Sequence, residues 1–184
     1  NMFTKSASND SNVKINNFLF LSTLTFMSMA GLIGSDVYLP NLPAIGAYFH
    51  TDIHFLQITL GVYLFGLSIG QILLGPLSDA YGRKKVLSIG MSLYMIASLS
   101  CALSETMNQL IISRIFQAVG ACSGLVVGRA IIGDIYDLEQ SGKVFATILP
   151  FVGMSTAVSP VIGGFIGYYF NWKATFFFIA LFAS

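Results

Sequence analysis

Apolar residues along this chain fall into long runs that short polar links separate. A helix that crosses a bilayer needs about 20 mostly apolar residues, and five of the runs have about this length. They cover residues 18–38, 55–74, 86–103, 110–132 and 144–169, and a sixth opens at Ala174. The pattern predicts an all-α polytopic membrane protein with a six-helix bundle, in which two three-helix inverted repeats are expected.

The two ends of the chain differ from these spans. Residues 1–17 are polar and lack the cleavage-site pattern of a signal peptide. They are predicted to form a cytoplasmic polar tail before the bundle of residues 18–184. The sixth run stops at Ser184 after about half the length of a span, and Asn1 precedes Met2. We therefore expect this chain to be a piece of a longer protein.

Composition excludes an ordinary soluble domain. Hydrophobic residues make up 55% of the chain and charged residues 9%, whereas soluble domains carry about 25% charged residues. The net charge of +1 offers no basic surface for nucleic acid. Cys101 and Cys122 lie inside apolar runs, and His50 and His54 have only Asp52 beside them, so no metal site and no cofactor are expected.

The distribution of basic residues predicts the orientation in the membrane. Lys and Arg are retained on the cytoplasmic side of a bilayer, and here seven of them fall on one side of the predicted spans and one on the other. The seven are Lys5, Lys14, Arg83, Lys84, Lys85, Arg129 and Lys143, and the one is Lys173. A multi-pass protein of the inner membrane with a cytoplasmic amino terminus is expected.

Two ionisable residues fall well inside the predicted spans. Asp36 lies about 27 Å along helix one, and Arg114 lies about 10 Å into helix four from the opposite surface. At similar depth in the outer half, opposite charges can neutralise each other and a proton can switch the pair. Gln117 shares the helical face of Arg114, so these three residues are expected to couple transport to protons. A static ion pair, or an Asp36 that only caps its helix, is the alternative.

Small residues recur on two predicted helices. Three glycines at four-residue spacing form a stripe along helix four on which another backbone can pack closely. Helix five combines hydroxyl residues, glycines and a proline, a face that allows close packing and bending. The residues expected to pack helices are Gly120, Gly124, Gly128, Ser159, Pro160, Gly163 and Gly164.

Aromatic and Met side chains inside the spans are candidates for contact with an amphipathic substrate. Tyr38, Met27 and Tyr63 are of this kind, and packing in the helical core is the alternative. The predicted spans show no nucleophile, metal cluster or carboxylate pair of the sort that an intramembrane enzyme would need. An enzyme is therefore not predicted.

The link between the second and third spans carries the most specific motif. Its residues 75–85 resemble the signature loop of the major facilitator superfamily, Gly-x-Leu-Ala-Asp-Arg-x-Gly-Arg-Lys, and depart from it at Ala80. Six positions match: Gly75, Leu77, Asp79, Gly82, Arg83 and Lys84. The two glycines are expected to permit a tight turn, and Asp79 with Arg83 is expected to act as a conformational latch. Lys84 belongs to a basic triplet that can meet anionic lipid heads.

Three further motifs extend this resemblance. Arg114-x-x-Gln117-Ala118-x-Gly120 is similar to the helix-four motif of proton-coupled members, and Ser159-Pro160-x-x-Gly163-Gly164 is similar to the helix-five antiporter motif, with Ser in place of Gly. Residues 36–40, Asp-Val-Tyr-Leu-Pro, resemble the Bcr/CflA group of drug-resistance exporters. The resemblance implies the amino-terminal half of a twelve-helix proton antiporter whose partners are a small-molecule substrate, protons, membrane lipids and the missing six-helix half.

Two other interpretations stay open at the level of sequence. The protein can be a proton symporter or a facilitator that imports a small nutrient, because the link motif does not fix the direction of transport. It can also be a membrane scaffold that transports nothing. Flux direction in vesicles with an imposed pH gradient separates import from export.

Overall fold

The computed structural model describes the backbone of residues 3–183 and the side chains of residues 20–183. Within this part of the chain every regular element is helical. The helices are α1 Phe3–Asp36, α2 Leu42–Phe49, α3 Ile53–Tyr81, α4 Arg83–Ala102, α5 Met107–Ile135, α6 Leu138–Tyr169 and α7 Trp172–Ala183, and a 3-10 turn, Leu39–Asn41, joins α1 to α2. The predicted all-α class is confirmed.

Five helical segments of the described part are long and apolar enough to cross a membrane. They are Phe20–Phe49, Ile53–Tyr81, Arg83–Ala102, Met107–Ile135 and Leu138–Tyr169, and α7 is a shorter apolar helix. The second, fourth and fifth contain an apolar run of the sequence completely, whereas the first begins two residues after the start of its run and the third ends one residue before the end of its run. Because the connections are so short, neighbouring helices run up and down beside one another.

Several helices are longer than their apolar runs. The predicted turn at Gly75 is wrong, because α3 continues through Gly75 and Pro76 to Tyr81. A proline removes one helical hydrogen bond without necessarily ending the helix. The chain reverses at Gly82, where φ is 94°, a conformation that residues with a Cβ rarely adopt. One glycine, and not two, makes this turn.

The amino-terminal and histidine segments also differ from the predicted boundaries. The backbone of α1 is helical from Phe3, upstream of the predicted start of the first span. Residues 1 and 2 lie outside the described residues, as do the side chains of Lys5 and Lys14, so the cytoplasmic polar tail stays a prediction. His50 ends α2 with φ 48°, and His54 belongs to the first turn of α3 and not to a loop.

Helix α5 occupies the centre of the bundle. It begins at a capping box in which Thr106 Oγ1 accepts from the Gln109 backbone N–H at 3.3 Å and Gln109 Oε1 accepts from the Thr106 backbone N–H at 3.3 Å. Such a reciprocal pair satisfies two amide donors that the first turn would leave open. Helices α3, α4 and α1 pack around α5, while α6 lies at the edge against α1 and α7 lies against α4. The side chains that α5 carries are thus the most enclosed.

The glycines of α5 face two different helices. A Cβ on Gly120 would lie 2.5 Å from the backbone nitrogen of Tyr94 in α4, whereas one on Gly124 would overlap the backbone carbonyl of Met27 in α1. Gly128 also faces α1, with Ser28 Oγ 3.3 Å from the position of its Cβ. A step of four residues turns the helix surface by about 40°. The three glycines therefore pack against two helices, α4 and α1. A common direction for the stripe would have placed all three against one helix.

The end of the bundle opposite Arg83 is held by Asn41. Its Nδ2 donates to the Gly163 carbonyl of α6 at 3.0 Å and to Thr175 Oγ1 of α7 at 3.1 Å. Gly163 lies directly against the Val37 carbonyl, and a Cβ on Gly164 would be 3.6 Å from Pro40 Cβ. Ser159 is buried and Pro160 lies within α6. This small-residue face of α6 packs on residues 37–41, which directly follow α1.

Candidate functional site

The guanidinium of Arg114 lies at the centre of the described bundle, with no exposed surface. Its Nη1 donates to the Gly34 carbonyl of α1 at 2.9 Å and to Gln117 Oε1 at 2.8 Å. Its Cζ is 4.3 Å from the ring centroid of Tyr38 and 4.1 Å from that of Tyr63. Both distances fall within the range of cation–π attraction. Carbonyl and amide oxygens and two ring faces therefore surround this charge.

Asp36 does not form an ion pair with Arg114 in this structure. Among the described residues the ion pairs join other side chains, and Asp36 Oδ1 accepts a hydrogen bond from Ser35 Oγ at 3.1 Å. Asp36 Oδ2, Arg114 Nε and Arg114 Nη2 are buried and have no hydrogen-bond partner. The sequence placed the two charges at similar depth, and the structure shows each with unused hydrogen-bonding capacity.

A hydrogen-bonded chain continues from Arg114 into α4. Gln117 Nε2 donates to Ser98 Oγ at 2.8 Å, and Ser98 Oγ donates to the Tyr94 carbonyl at 2.7 Å. The Tyr94 hydroxyl in turn donates to the Ala30 carbonyl of α1 at 2.7 Å. These groups are fully buried, and buried polar groups are costly unless they are paired. The chain joins α5, α4 and α1 around the arginine.

Gly34 provides the space in which the tyrosine hydroxyls meet α1. A Cβ at this position would lie 2.9 Å from the Tyr94 hydroxyl and would overlap that of Tyr63. The Tyr63 hydroxyl donates to the Gly31 carbonyl at 2.8 Å. Any larger residue at Gly34 would displace both rings and the carbonyl that accepts from Arg114.

The sequence reasoning missed Gly34, Tyr94 and Ser98. A usable signal existed for the tyrosine, since a phenol in the middle of an apolar run needs a hydrogen-bond partner within the bundle. No feature of the sequence indicated how α4 is rotated about its own axis. That rotation decides whether Tyr94 and Ser98 face α5 or lipid.

The three candidate substrate residues lie in two different places. Tyr38 and Tyr63 are 0% and 1% exposed, and both pack on Arg114. In this conformation they are closed to a substrate. Met27 instead lines an open cleft of about 590 Å³ between α1, α4 and α7, beside Met91 and Met95. The structure does not bring the three together.

A second charged cluster lies at the end of the bundle that carries Arg83, Lys84 and Lys85, called the basic end below. Arg83 forms an ion pair with Asp79 and donates through Nε to Asp134 Oδ2 at 2.9 Å. Its Nη1 also donates to Ser78 Oγ. Asp134 is at the end of α5, so the cluster ties the α3–α4 turn to α5. The sequence paired Arg83 with Asp79 and gave no indication of Asp134 as its partner.

The other residues of the predicted latch have different positions. Gly82 makes the turn that orients Arg83, and Gly75 lies inside α3 with open space around it. Lys84 borders the cleft lined by Met27. No group of three or more His, Cys, Asp or Glu side chains that could hold a metal ion occurs in the described part of the chain.

Comparison with known proteins places this geometry in context. A family model for the Major Facilitator Superfamily matches residues 20–184. A chloramphenicol resistance protein of Pseudomonas aeruginosa is 36% identical over 150 residues, which are 81% of this chain and 36% of that protein. A bicyclomycin resistance protein homolog of Haemophilus influenzae is 29% identical over 89% of this chain and 41% of its own length. The multidrug resistance protein MdtL of Escherichia coli is 33% identical over 80% of this chain and 38% of its own length. The chain thus spans about two fifths of the length of these relatives.

Proposed function

Because this chain belongs to the major facilitator superfamily, we propose that it is part of a proton-coupled antiporter that exports small amphipathic compounds. Members of this superfamily are transporters and generally not enzymes. Three relatives bear names of drug resistance, against chloramphenicol, bicyclomycin or several drugs. These names belong to those proteins, and their similarity to this chain supports export of a comparable class of substrate.

The observation that carries the proposal is a buried Arg114 without a carboxylate partner. It is bonded to the Gly34 carbonyl, two residues before an Asp36 that has a buried unpartnered oxygen. Ionisable residues inside a membrane are expensive, and they mark ion or substrate pathways. A carboxyl that can either be protonated or pair with an arginine exchanges one interaction for another at little net cost. Asp36 would bind the proton, and Arg114 would stabilise the carboxylate after its release.

Gln117 would keep the arginine oriented through this exchange. It accepts from Arg114 through Oε1 and donates to Ser98 through Nε2, so its amide has a fixed orientation. Nη1 would stay bonded to Gln117 in a conformation of the bundle that brings Nε and Nη2 to the Asp36 carboxylate.

The cluster at the basic end would control opening on that side. Arg83 bridges Asp79 and Asp134, and these links bind the α3–α4 turn to α5 in the present conformation. Breaking them would free the two elements to separate. The distribution of Lys and Arg supports a cytoplasmic location for this end, with the amino terminus on the same side of the inner membrane.

The remainder of the protein would complete the substrate path. The relatives are more than twice the length of their matched segments, so a second six-helix half is expected to pack on this one. Helix α6 lies at the bundle edge and exposes large apolar side chains, including Phe151, Val161 and Phe165. Lipid and the second half are the two surfaces that would cover such residues.

Export by the full-length protein is tested in bacterial cells that lack their own drug exporters. Cells that express the protein are expected to grow at several-fold higher chloramphenicol or bicyclomycin than cells with an empty vector. Asp36→Asn should abolish this protection at equal membrane abundance, whereas Asp36→Glu, which keeps a carboxyl, should retain part of it. Equal protection by wild type and Asp36→Asn would remove Asp36 from the mechanism. Accumulation of either drug above the empty-vector level would indicate import.

A further inference from the structure

The surroundings of Arg114 contain two aromatic rings whose positions do not depend on the arginine. The Tyr38 hydroxyl and Thr59 Oγ1 share a hydrogen bond of 2.7 Å, and the Tyr63 hydroxyl donates to the Gly31 carbonyl at 2.8 Å. Thr59 donates in turn to the Leu56 carbonyl at 2.6 Å. Both phenols are thus anchored at their outer ends, and their ring faces are left to meet the guanidinium.

An unpaired cation in this position needs compensation. Arg114 is fully buried, and removal of a guanidinium from water is costly unless other groups replace the solvent. Two oxygens accept from Nη1, but Nε and Nη2 have no acceptor. The ring faces at 4.3 and 4.1 Å are the remaining groups of negative potential, since an aromatic ring is negative on its face.

One of the two rings and the Asp36 carboxyl belong to the same short stretch of chain, which also contacts the guanidinium. Tyr38 follows Asp36 by two residues, and Gly34, whose carbonyl accepts from Nη1, precedes it by two. Tyr63 has electrostatic interactions with both Arg114 and Asp36. Residues 34–38, the end of α1 and the start of its following turn, therefore offer Arg114 a carbonyl and a ring, and Asp36 lies between these two residues in the chain.

From this arrangement we propose that Tyr38 and Tyr63 are positioning residues, which form a cation–π seat that competes with Asp36 for the Arg114 guanidinium and so sets the pH at which transport is coupled to protons. This inference rests on the proposed function. When Asp36 is protonated, the guanidinium occupies the seat, as in the present structure. When Asp36 loses its proton, the carboxylate draws the guanidinium away from the rings.

The ionisable groups that interact with the guanidinium include three phenols and a thiol. Tyr38, Tyr63, Tyr94 and Cys101 interact electrostatically with Arg114. Tyr94 and Cys101 belong to α4, while α7 contributes the neutral ring of Phe176, 6.0 Å from Cζ. The phenols and the thiol are neutral near pH 7, so the proposal assigns the change of charge to the Asp36 carboxyl and not to them.

The proposal predicts a directional shift. Without the ring at position 63, the guanidinium gains more from moving onto Asp36, and the carboxylate then holds its proton less well. Tyr63→Leu should move the midpoint of proton release about one pH unit toward acid, a tenfold change in proton affinity. Tyr63→Phe keeps the ring face and should stay within about 0.3 units. Tyr38→Leu and Tyr38→Phe should behave in the same way.

The measurement uses the purified full-length protein in detergent at low buffer strength. Protons released on addition of a substrate identified by growth protection are recorded with a pH indicator dye across the pH range. Asp36→Asn provides the blank, and its difference from wild type tests the proposed function separately from the tyrosines. A release signal that persists in Asp36→Asn overturns the proposed function and this inference together, while a signal lost in Asp36→Asn but unmoved in both Leu variants overturns only the seat.

A graded series of ring substitutions at position 63 keeps the proposal testable if the Leu variants fail to fold. Replacement of Tyr63 by phenylalanine carrying one, two or three ring fluorines leaves the shape nearly constant and withdraws negative potential from the ring face stepwise. A cation–π seat predicts a midpoint that moves further toward acid with each fluorine. Equal midpoints across the series would mean that the ring acts by shape alone, and that result would overturn the proposal.

Discussion

At the scale of single residues, the unusual feature is a charge that the bundle keeps at its centre without a counter-charge. One of the three guanidinium nitrogens of Arg114 donates hydrogen bonds, and two aromatic ring faces lie beside the guanidinium carbon. Even a buried ion pair can often be replaced by apolar side chains of similar volume without loss of stability, and Arg114 has no counter-charge to offset its desolvation. If stability alone were served, a Met or Leu would suffice here. The arginine is therefore better explained by transport than by folding.

Two substitutions at Arg114 are expected to differ in stability. Arg114→Met should keep the thermal stability of the purified full-length protein within about 2 kcal/mol, because it removes the buried charge along with its hydrogen bonds. Arg114→Lys should be less stable than Arg114→Met, because an ammonium cannot lie flat on the rings while donating to Gly34 and Gln117. Both should lose proton-coupled export. A wild-type melting temperature for Arg114→Lys, measured by thiol-reactive dye, would contradict this account of the site.

At the scale of helices, the apolar runs predicted the spans well because their length is set by the bilayer and not by the neighbours of each helix. The ends were predicted less well. Gly75 and Gly82 suggested a tight turn, yet α3 passes through Gly75 and the chain reverses at Gly82 alone. Local propensity could not show the contact that fixes this end, since Arg83 donates to Asp134 of α5, which is 51 residues away in the chain.

The candidate site was only partly predictable for a similar reason. Sequence spacing places Arg114 and Gln117 on one face of α5, and the two side chains are hydrogen-bonded. The depth of a residue in the membrane follows from its position along the helix, so the sequence could place Asp36 and Arg114 at similar depth. Whether two helices turn the relevant faces toward each other depends on packing of the whole bundle. The tyrosine rings around Arg114 follow from that packing.

Two neighbouring glycines of α6 give a matched test of helix packing. Gly163→Ala should destabilise the protein by about 1–3 kcal/mol, because the new methyl group would overlap the carbonyl of Val37, the residue that follows α1. Gly164→Ala should have little effect, since its Cβ would make an ordinary contact of 3.6 Å with Pro40. Thermal unfolding of the purified full-length protein measures the difference. Equal melting temperatures for the two variants would show that α6 does not pack on α1 as described.

At the scale of the whole molecule, the two ends of the bundle are closed by different chemistry. Hydrogen bonds of Asn41 hold one end, and the ion pairs of Arg83 hold the other. Exposed ion pairs contribute little to stability, typically below about 1 kcal/mol each. An interaction of this strength suits a contact that must break in every transport cycle. The basic end is therefore expected to be the one whose opening can be shifted by single substitutions.

Asp134→Asn is predicted to shift the full-length protein toward conformations open at the basic end. The substitution removes the charge that receives Arg83 Nε at 2.9 Å and leaves the ion pair with Asp79 in place. Glu139→Gln is the matched control, because it breaks the exposed Lys143–Glu139 pair of 2.8 Å, which lies within α6 alone. Labelling of a single cysteine placed near the basic end should become several-fold faster in Asp134→Asn only. Identical rates in both variants would show that the Arg83–Asp134 bond does not hold the basic end closed.

The central claim is that Asp36 couples export to protons, and transport in proteoliposomes tests it most directly. Full-length protein is reconstituted with chloramphenicol, or another compound against which it protects cells, and a pH gradient is imposed with acid inside. Molecules inserted with the basic end outward should then accumulate the compound against its gradient, and an ionophore that collapses the pH difference should stop this. Asp36→Asn should show no accumulation while still equilibrating the compound. Accumulation by Asp36→Asn at the wild-type rate and to the wild-type extent would contradict the account.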